Sequence, residues 1–500
     1  MEEGHIGPGP RGTTMMPNET RKHYFKTASC CLRVASCWLR VASEWFAPRR
    51  KMITSFFSRE RNVYGSWRGA PGPYVVAENI HQVDSALPHG VQGAAAPHFT
   101  WAVRFFGRLF PGPRFGGGAL SVYLDGRPVV DVWTGWSDRR GEVPWTADTA
   151  AMVFSATKGA TSTVIHRLVD RGLLDYDAPV AEYWKEFGVN GKLGITVREL
   201  MRHRAGLSQL NGVSKAELLD HRFMEERLAA APASPLLGRS AYHVLTYGWL
   251  LSGLARAVTG MGMRDLVRSE LAEPLSIEGL HLGRPPADSP IQVAQILMPQ
   301  TTTTNPLFDF LAPKIAALPF SGGFGAFYAP GMKSSVQGDI PLLDSEIPSA
   351  NGVMTARALA KMYGAVADGG RIDGTHFLSA ELVAGLTGEI SLRPDRNAIV
   401  PMSFHMGYHA APIPRLMPGF GHAGLGGSIG WADPATGMSF GFVHNRLLTP
   451  MVFDYGAIAV LAALLQRGAA AARKRGAQTV PHFGAPYRGT AQPKSCTSAM

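Results

Sequence analysis

Apolar and polar positions alternate with a period of two at Leu120, Val122 and Leu124 against Ser121 and Tyr123. That alternation predicts a half-buried strand starting at Ala119. Asp125-Gly126 is a hairpin turn signal, and residues 129–133 supply the returning strand. The period then lengthens. Val164, Ile165, Leu168, Leu173 and Leu174 have helical spacing after the stretch Phe154-Ser155-Ala156-Thr157-Lys158-Gly159, and Gly172 marks a helix end. Residues 175–350 read as a mostly helical region in which Thr196 and Glu199 suit a capping box. Its last part, 290–350, is rich in Pro, Gly and Thr and reads as long loops able to overhang a site. A helix over about 355–368 begins near Thr355. Two strand-like runs, 429–433 and 438–444, follow a glycine-rich stretch at 421–428. A final helix over about 454–474 carries an apolar run, 458–465, too short to span a bilayer. Strands thus stand at both ends of the body with helices between. The expected fold class is α+β, with one antiparallel sheet built from both chain ends, flanked by helices, plus a mostly helical lobe.

The outer segments read differently. Residues 1–97 are expected to be a basic, partly disordered extension and linker, 98–475 the folded domain, and 476–500 a flexible tail. Within the extension Leu32, Leu39 and Phe46 fall on one helical stripe beside Arg33 and Arg40. Residues 29–46 therefore fit a basic amphipathic helix in weak peripheral contact with a membrane, or an extension docked on the core.

Charge changes the picture once it is located. The net charge is +11. Residues 1–70 hold twelve Lys/Arg against five Asp/Glu, and the stretch after Gln466 holds six Lys/Arg and no acid. The body between carries −2. A near-neutral body argues against a nucleic-acid enzyme, and the basic tails suit an acidic surface such as anionic lipid. The four cysteines, Cys30, Cys31, Cys37 and Cys496, lie in the tails, so no disulfide or metal framework is expected, and no Cys/His cluster has zinc spacing. No cofactor is expected. The start of the chain does not read as a signal peptide, and no run of 18 apolar residues occurs. The expected location is cytoplasmic, with peripheral membrane contact as an option.

The candidate chemistry begins at Ser155 and Lys158. Three residues apart on a helix, they share one face. A serine hydroxyl needs a base beside it, and a lysine becomes one when burial leaves it neutral. A helix start with an exposed lysine gives the same spacing without chemistry. Two further stretches stand downstream: Tyr242, ahead of an apolar helix, and His422-Ala423-Gly424 on a glycine-rich strand edge. Tyr247, five residues on, competes with Tyr242. Gly426-Gly427-Ser428-Ile429-Gly430 fits the Gly-x-Ser-x-Gly pattern, but strand text follows Ser428, and that pattern needs a helix there. Ser428 is read as structural.

Ser155-x-x-Lys158, Tyr242 and His422-Ala423-Gly424, in this order, resemble the serine β-lactamase and penicillin-binding protein superfamily, class C in particular. The stretches 172–180, 200–207 and 421–434 are similar to that family too, and the resemblance runs from about 115 to 465. It implies a β-lactamase/transpeptidase-like fold. Val244 stands where lactamases place an asparagine amide, and His422 and Ala423 replace the lysine and threonine of the third motif. The pattern is closest to the family VIII carboxylesterases. The resemblance implies a serine hydrolase cleaving small-molecule carboxylic esters. In it Ser155 forms an acyl-enzyme, and Lys158 and Tyr242 serve as general base and acid in an order left open. The N–H groups of Ser155 and Leu425 form the oxyanion hole beside Gly424, and His422 orients substrate or tunes the electrostatics. A DD-peptidase or weak β-lactamase, and a non-catalytic binding protein of this fold, are the alternatives. Acyl-chain preference and oligomeric state have no signature.

Overall fold

The computed structural model describes residues 87–298, 314, 323–329, 331–412, 414–447, 451–476 and 478–488. The chain divides into two compact units, Met1–Ile80 and His81–Met500, and every described residue belongs to the second. The amphipathic stretch 29–46 and all four cysteines lie outside the described residues.

The elements in chain order are β1 (Val91–Ala95), α1 (Thr100–Arg108), β2 (Gly117–Leu124), β3 (Arg127–Gly135), β4 (Thr149–Met152), α2 (Thr157–Asp170), α3 (Thr246–Thr259), β5 (Leu280–Leu282), β6 (Gln292–Val293), β7 (Gly352–Met354), α4 (Ala356–Ala367), β8 (Arg371–Ile372), β9 (Thr375–His376), β10 (Ser403–His405), β11 (Tyr408–Ala410), β12 (Phe420–Ala423), β13 (Ile429–Asp433), β14 (Met438–His444) and α5 (Met451–Arg475). Short helical turns, Val197–Met201 and His221–Ala230 among them, fill the stretch between α2 and α3. Val197–Met201 carries the capping box of Thr196 and Glu199, and Thr355 caps α4.

Eight strands form one antiparallel sheet in the order β1-β3-β2-β14-β13-β12-β11-β10. The β2–β14 pairing, Leu120 opposite Phe442, joins the two ends of the body. The period-two pattern sorts side chains onto two faces. Leu120, Val122, Phe440 and Phe442 pack with Phe99, Phe106, Leu461 and Leu465 beneath α1 and α5. On the other face Ser439 donates to the Ala360 carbonyl at 2.7 Å, and a Cβ on Gly441 would meet the Ala356 carbonyl at 2.1 Å. Small side chains there let α4 press onto the sheet. Arg357 of α4 pairs with the buried Asp131 of β3 at 2.8 Å. A second, four-stranded sheet, β5-β7-β4-β6, leads into α2, and β8 and β9 form a hairpin.

The body extends past both expected boundaries. β1 lies within the stretch read as linker and pairs with β3 along its whole length. Residues 478–488, read as flexible tail, are held through their backbone N–H groups: Val480 donates to the Pro128 carbonyl, Ala485 to the Asp148 carboxylate and Arg488 to the Glu278 carboxylate. Length and composition would let Phe453–Arg475 of α5 cross a membrane, more than its apolar run suggests from sequence. Its stripe Ile458, Leu461, Leu465, Ala469 and Ala472 is instead buried against α1 and the sheet.

Candidate active site

β4 runs into a single 3₁₀ turn, Phe154–Ala156, which passes into α2. Phe154 takes φ 47°, a left-handed conformation that costs a non-glycine residue about 1 to 3 kcal/mol. The turn is fixed from both sides. Val153 N–H donates to Gly352 O at 2.9 Å, and Thr157 Oγ1 bonds Phe154 O at 2.6 Å while accepting from Gly352 N–H at 2.9 Å. Ser155 is thereby presented at the head of α2, partly exposed. α2 itself is a central helix, buried on nearly every side.

One turn on, Lys158 is 0 % exposed. Its Nζ lies 3.2 Å from Ser155 Oγ, 2.7 Å from Val244 O and 3.0 Å from Ser349 O. Burial pushes the ammonium pKa well below its usual 10.5. A neutral amine has two N–H bonds and one lone pair. The two carbonyls take the N–H bonds, which leaves the lone pair for the Ser155 hydroxyl.

Tyr242 is hydrogen-bonded to Ser155 through its hydroxyl, and burial raises its pKa above the ordinary 10, so the O–H keeps its proton. Lys158 Nζ sits 5.0 Å from the Tyr242 ring centre. The competing Tyr247 is a packing residue. Its hydroxyl bonds Ser162 at 2.8 Å, one turn further along α2 than Lys158.

His422 on β12 is 1 % exposed. Its Nδ1 donates to Ala423 O at 3.0 Å, so Nε2 carries the lone pair, and Nε2 is buried without a hydrogen-bond partner. The ring stacks 6.3 Å from Tyr242 and meets His409 edge-on at 4.9 Å. Burial first, then His409 and Lys158, hold its pKa well below 6.5. Gly424 directly follows β12, and a Cβ there would meet Val153 O at 2.0 Å. Only glycine lets this strand end touch the Ser155 turn. Gly424 N–H donates to Ser428 O at 2.7 Å and Gly427 N–H to Gly424 O at 3.0 Å, and this tight turn carries Leu425, 46 % exposed. Ser428 is buried, bonded to the His444 backbone at 3.2 and 3.3 Å, and takes no part in the cleft.

Several supporting residues carry no motif. Asp395, buried, accepts from Tyr242 N–H at 2.9 Å and from Ser240 Oγ at 2.8 Å. Asn397 donates to Tyr242 O at 3.0 Å. His203 packs 5.1 Å from Tyr242 and 4.3 Å from Phe404, whose ring stacks on Tyr242 at 5.0 Å. Ser349 supplies one lysine acceptor and ties its Oγ to Gly248 N–H and Leu245 O. Among the described residues, no group of three His, Cys, Asp or Glu is arranged to hold a metal ion.

A serine joined to a buried amine and a tyrosine at the head of a central helix matches a known family. The Beta-lactamase family model aligns with residues 105–465. The chain belongs to the beta-lactamase family. Esterase/beta-lactamase LipL of Mycobacterium tuberculosis is 63% identical over 399 residues, covering 79% of this chain and 93% of that protein. A solved family VIII carboxylesterase is 30% identical with a TM-score of 0.64, covering 75% of this chain and 99% of that one. A penicillin-binding protein homologue from Caulobacter crescentus has the same identity and TM-score, covering 76% and 99%. The chain is a serine hydrolase of beta-lactamase fold, esterase-like in its relatives, and acts on small molecules.

Proposed function

We propose that the protein hydrolyses carboxylic esters through an acyl-enzyme on Ser155. The observation that carries this reading is the placement of Lys158 Nζ, buried and bonded to two carbonyls with Ser155 Oγ at 3.2 Å. Ser155 Oγ attacks the acyl carbon as its proton passes to Lys158 Nζ. The N–H groups of Ser155 and Leu425 receive the oxyanion. As the intermediate collapses, Tyr242 gives a proton to the departing alkoxide and Lys158 returns one to Tyr242. Water then attacks the acyl carbon and gives its proton to the same pair, the carboxylic acid leaves, and Ser155 regains its hydrogen. The pKa shifts favour Lys158 as base and Tyr242 as acid, because burial holds the amine neutral and the phenol protonated. His422 is buried behind Tyr242, so it tunes the field at the tyrosine and does not reach substrate.

Ester rather than amide chemistry follows from position 244. Val244 spends its carbonyl on Lys158 and has no side-chain donor for an amide group. The name of the LipL relative pairs esterase with beta-lactamase, which makes lactam hydrolysis the second reading. The test treats the protein with a fluorophosphonate probe and maps the adduct by peptide mass spectrometry. Label on Ser155 is expected. Ser155→Ala should lose hydrolysis of a nitrophenyl butyrate by about 10³-fold or more. A label on Ser428, or none, overturns the reading. A chromogenic cephalosporin turned over as fast as the ester would move it to the lactamase.

A further inference from the structure

Beside the catalytic cleft, behind Phe404, lies a cavity of about 920 Å³. Five arginines line it, Arg202, Arg204, Arg239, Arg393 and Arg396, against the single carboxylate of Glu389. None of the five forms an ion pair with a carboxylate among the described residues. Their neighbour Arg198 shows the usual arrangement, a bidentate pair with Asp177 at 2.6 and 2.7 Å. Arg202 is built in more firmly than the others. Its Nη2 donates to His405 Nδ1 at 3.2 Å, and His405 Nε2 donates in turn to Gly385 O at 3.1 Å. Its Nε is buried with no partner. Five guanidinium groups facing one carboxylate give the cavity a positive field that favours an anion. The Arg202 pKa is lowered first by burial and then by Arg198 and Arg204.

We propose that this cavity is an anion site for a phosphate-bearing small molecule with at least two negative charges. A lone carboxylate offsets one guanidinium, whereas a phosphomonoester or diphosphate presents several acceptor oxygens to planar donors that bind such groups in pairs. The occupant lies one side chain from the chemistry. Phe404 separates it from Tyr242, and Ser240 on the cavity wall shares Asp395 with the Tyr242 backbone. The same chemistry is offered by a soluble polyphosphate and by an amphiphile's headgroup. Ile390, 46 % exposed, lines the rim, and Leu392, 70 % exposed, lies in the same loop.

The test is isothermal titration at constant ionic strength with inorganic pyrophosphate and, separately, with dihexanoyl phosphatidic acid below its micellar concentration. One-to-one binding is expected in the wild type and in a charge-matched control, Arg114→Ala/Arg127→Ala. Arg239→Ala/Arg393→Ala should bind at least about tenfold more weakly, and Arg396→Ala alone should weaken binding too. An unchanged thermal midpoint without ligand separates a lost site from a lost fold. Tighter binding of the amphiphile assigns the headgroup as the source, and tighter binding of pyrophosphate assigns a soluble phosphate. Equal affinity in the wild type and both cavity variants, or no binding above the salt control, overturns the proposal.

Discussion

Burial pushes the Lys158 ammonium well below its ordinary pKa, toward the free amine, and its neighbours keep the electrostatics simple. Burial pushes the imidazoles of His243 and His409 down to about 4, so they stay neutral over the working range. The sign of the pH effect follows. Below its lowered pKa Lys158 is an ammonium and cannot accept the Ser155 proton. Above that pKa it is a free base. kcat/KM for nitrophenyl butyrate should therefore rise with pH by one proton and reach a plateau below 10.5, the amine's ordinary value. Lys158→Arg, which keeps its charge, should fall by about 10³-fold and lose that limb. A parallel profile in the variant, within tenfold of wild type, would remove Lys158 from the base role.

Two contacts between elements decide whether the side chains meet. Gly424 lets the end of β12 rest on the turn before α2, and a methyl group there has no room against Val153 O. Gly424→Ala should lower kcat by about 10²-fold and slow fluorophosphonate labelling of Ser155, because the turn and the Leu425 N–H separate. Arg357 ties α4 to β3 through Asp131. Arg357→Ala should cost about 3 to 5 kcal/mol, read from the denaturant midpoint, because it takes the paired cation from a buried carboxylate and leaves it mainly the Phe483 N–H. At this scale the sequence is legible where a pattern is local. The period of two marks β2, the Asp125-Gly126 turn signal marks β3, and strand-like runs mark β13 and β14. Thr196 and Thr355 marked helix starts. Ser155 and Lys158 declared their shared face by spacing. β1 escaped notice because Val91-Gln92-Gly93-Ala94-Ala95 has little strand propensity and is made a strand by β3. β10 and β11 are three residues each, too short for a period to register. Asp395 and Asn397 were invisible for another reason. Their partner Tyr242 lies more than 150 residues away, and no local rule reports a contact of that range.

Across the whole molecule, α1 and α5 cover one face of the large sheet and α4 the other. α5 tests that layering, since its composition alone would also suit a bilayer. Leu465→Asp, on the buried stripe, should cost about 3 kcal/mol or more, read from thermal unfolding without detergent. Val460→Asp, on a side that is 47 % exposed, should cost less than about 0.5 kcal/mol. Equal losses would contradict a helix docked by one stripe. The carbonyls that hold Lys158 come from residues 86 and 191 positions further along the chain. During folding the lysine therefore starts as a hydrated cation and sheds its proton only when both distant segments arrive. On the mechanism proposed above, catalytic competence is then among the last properties the chain acquires, and release of a proton to the medium marks its arrival.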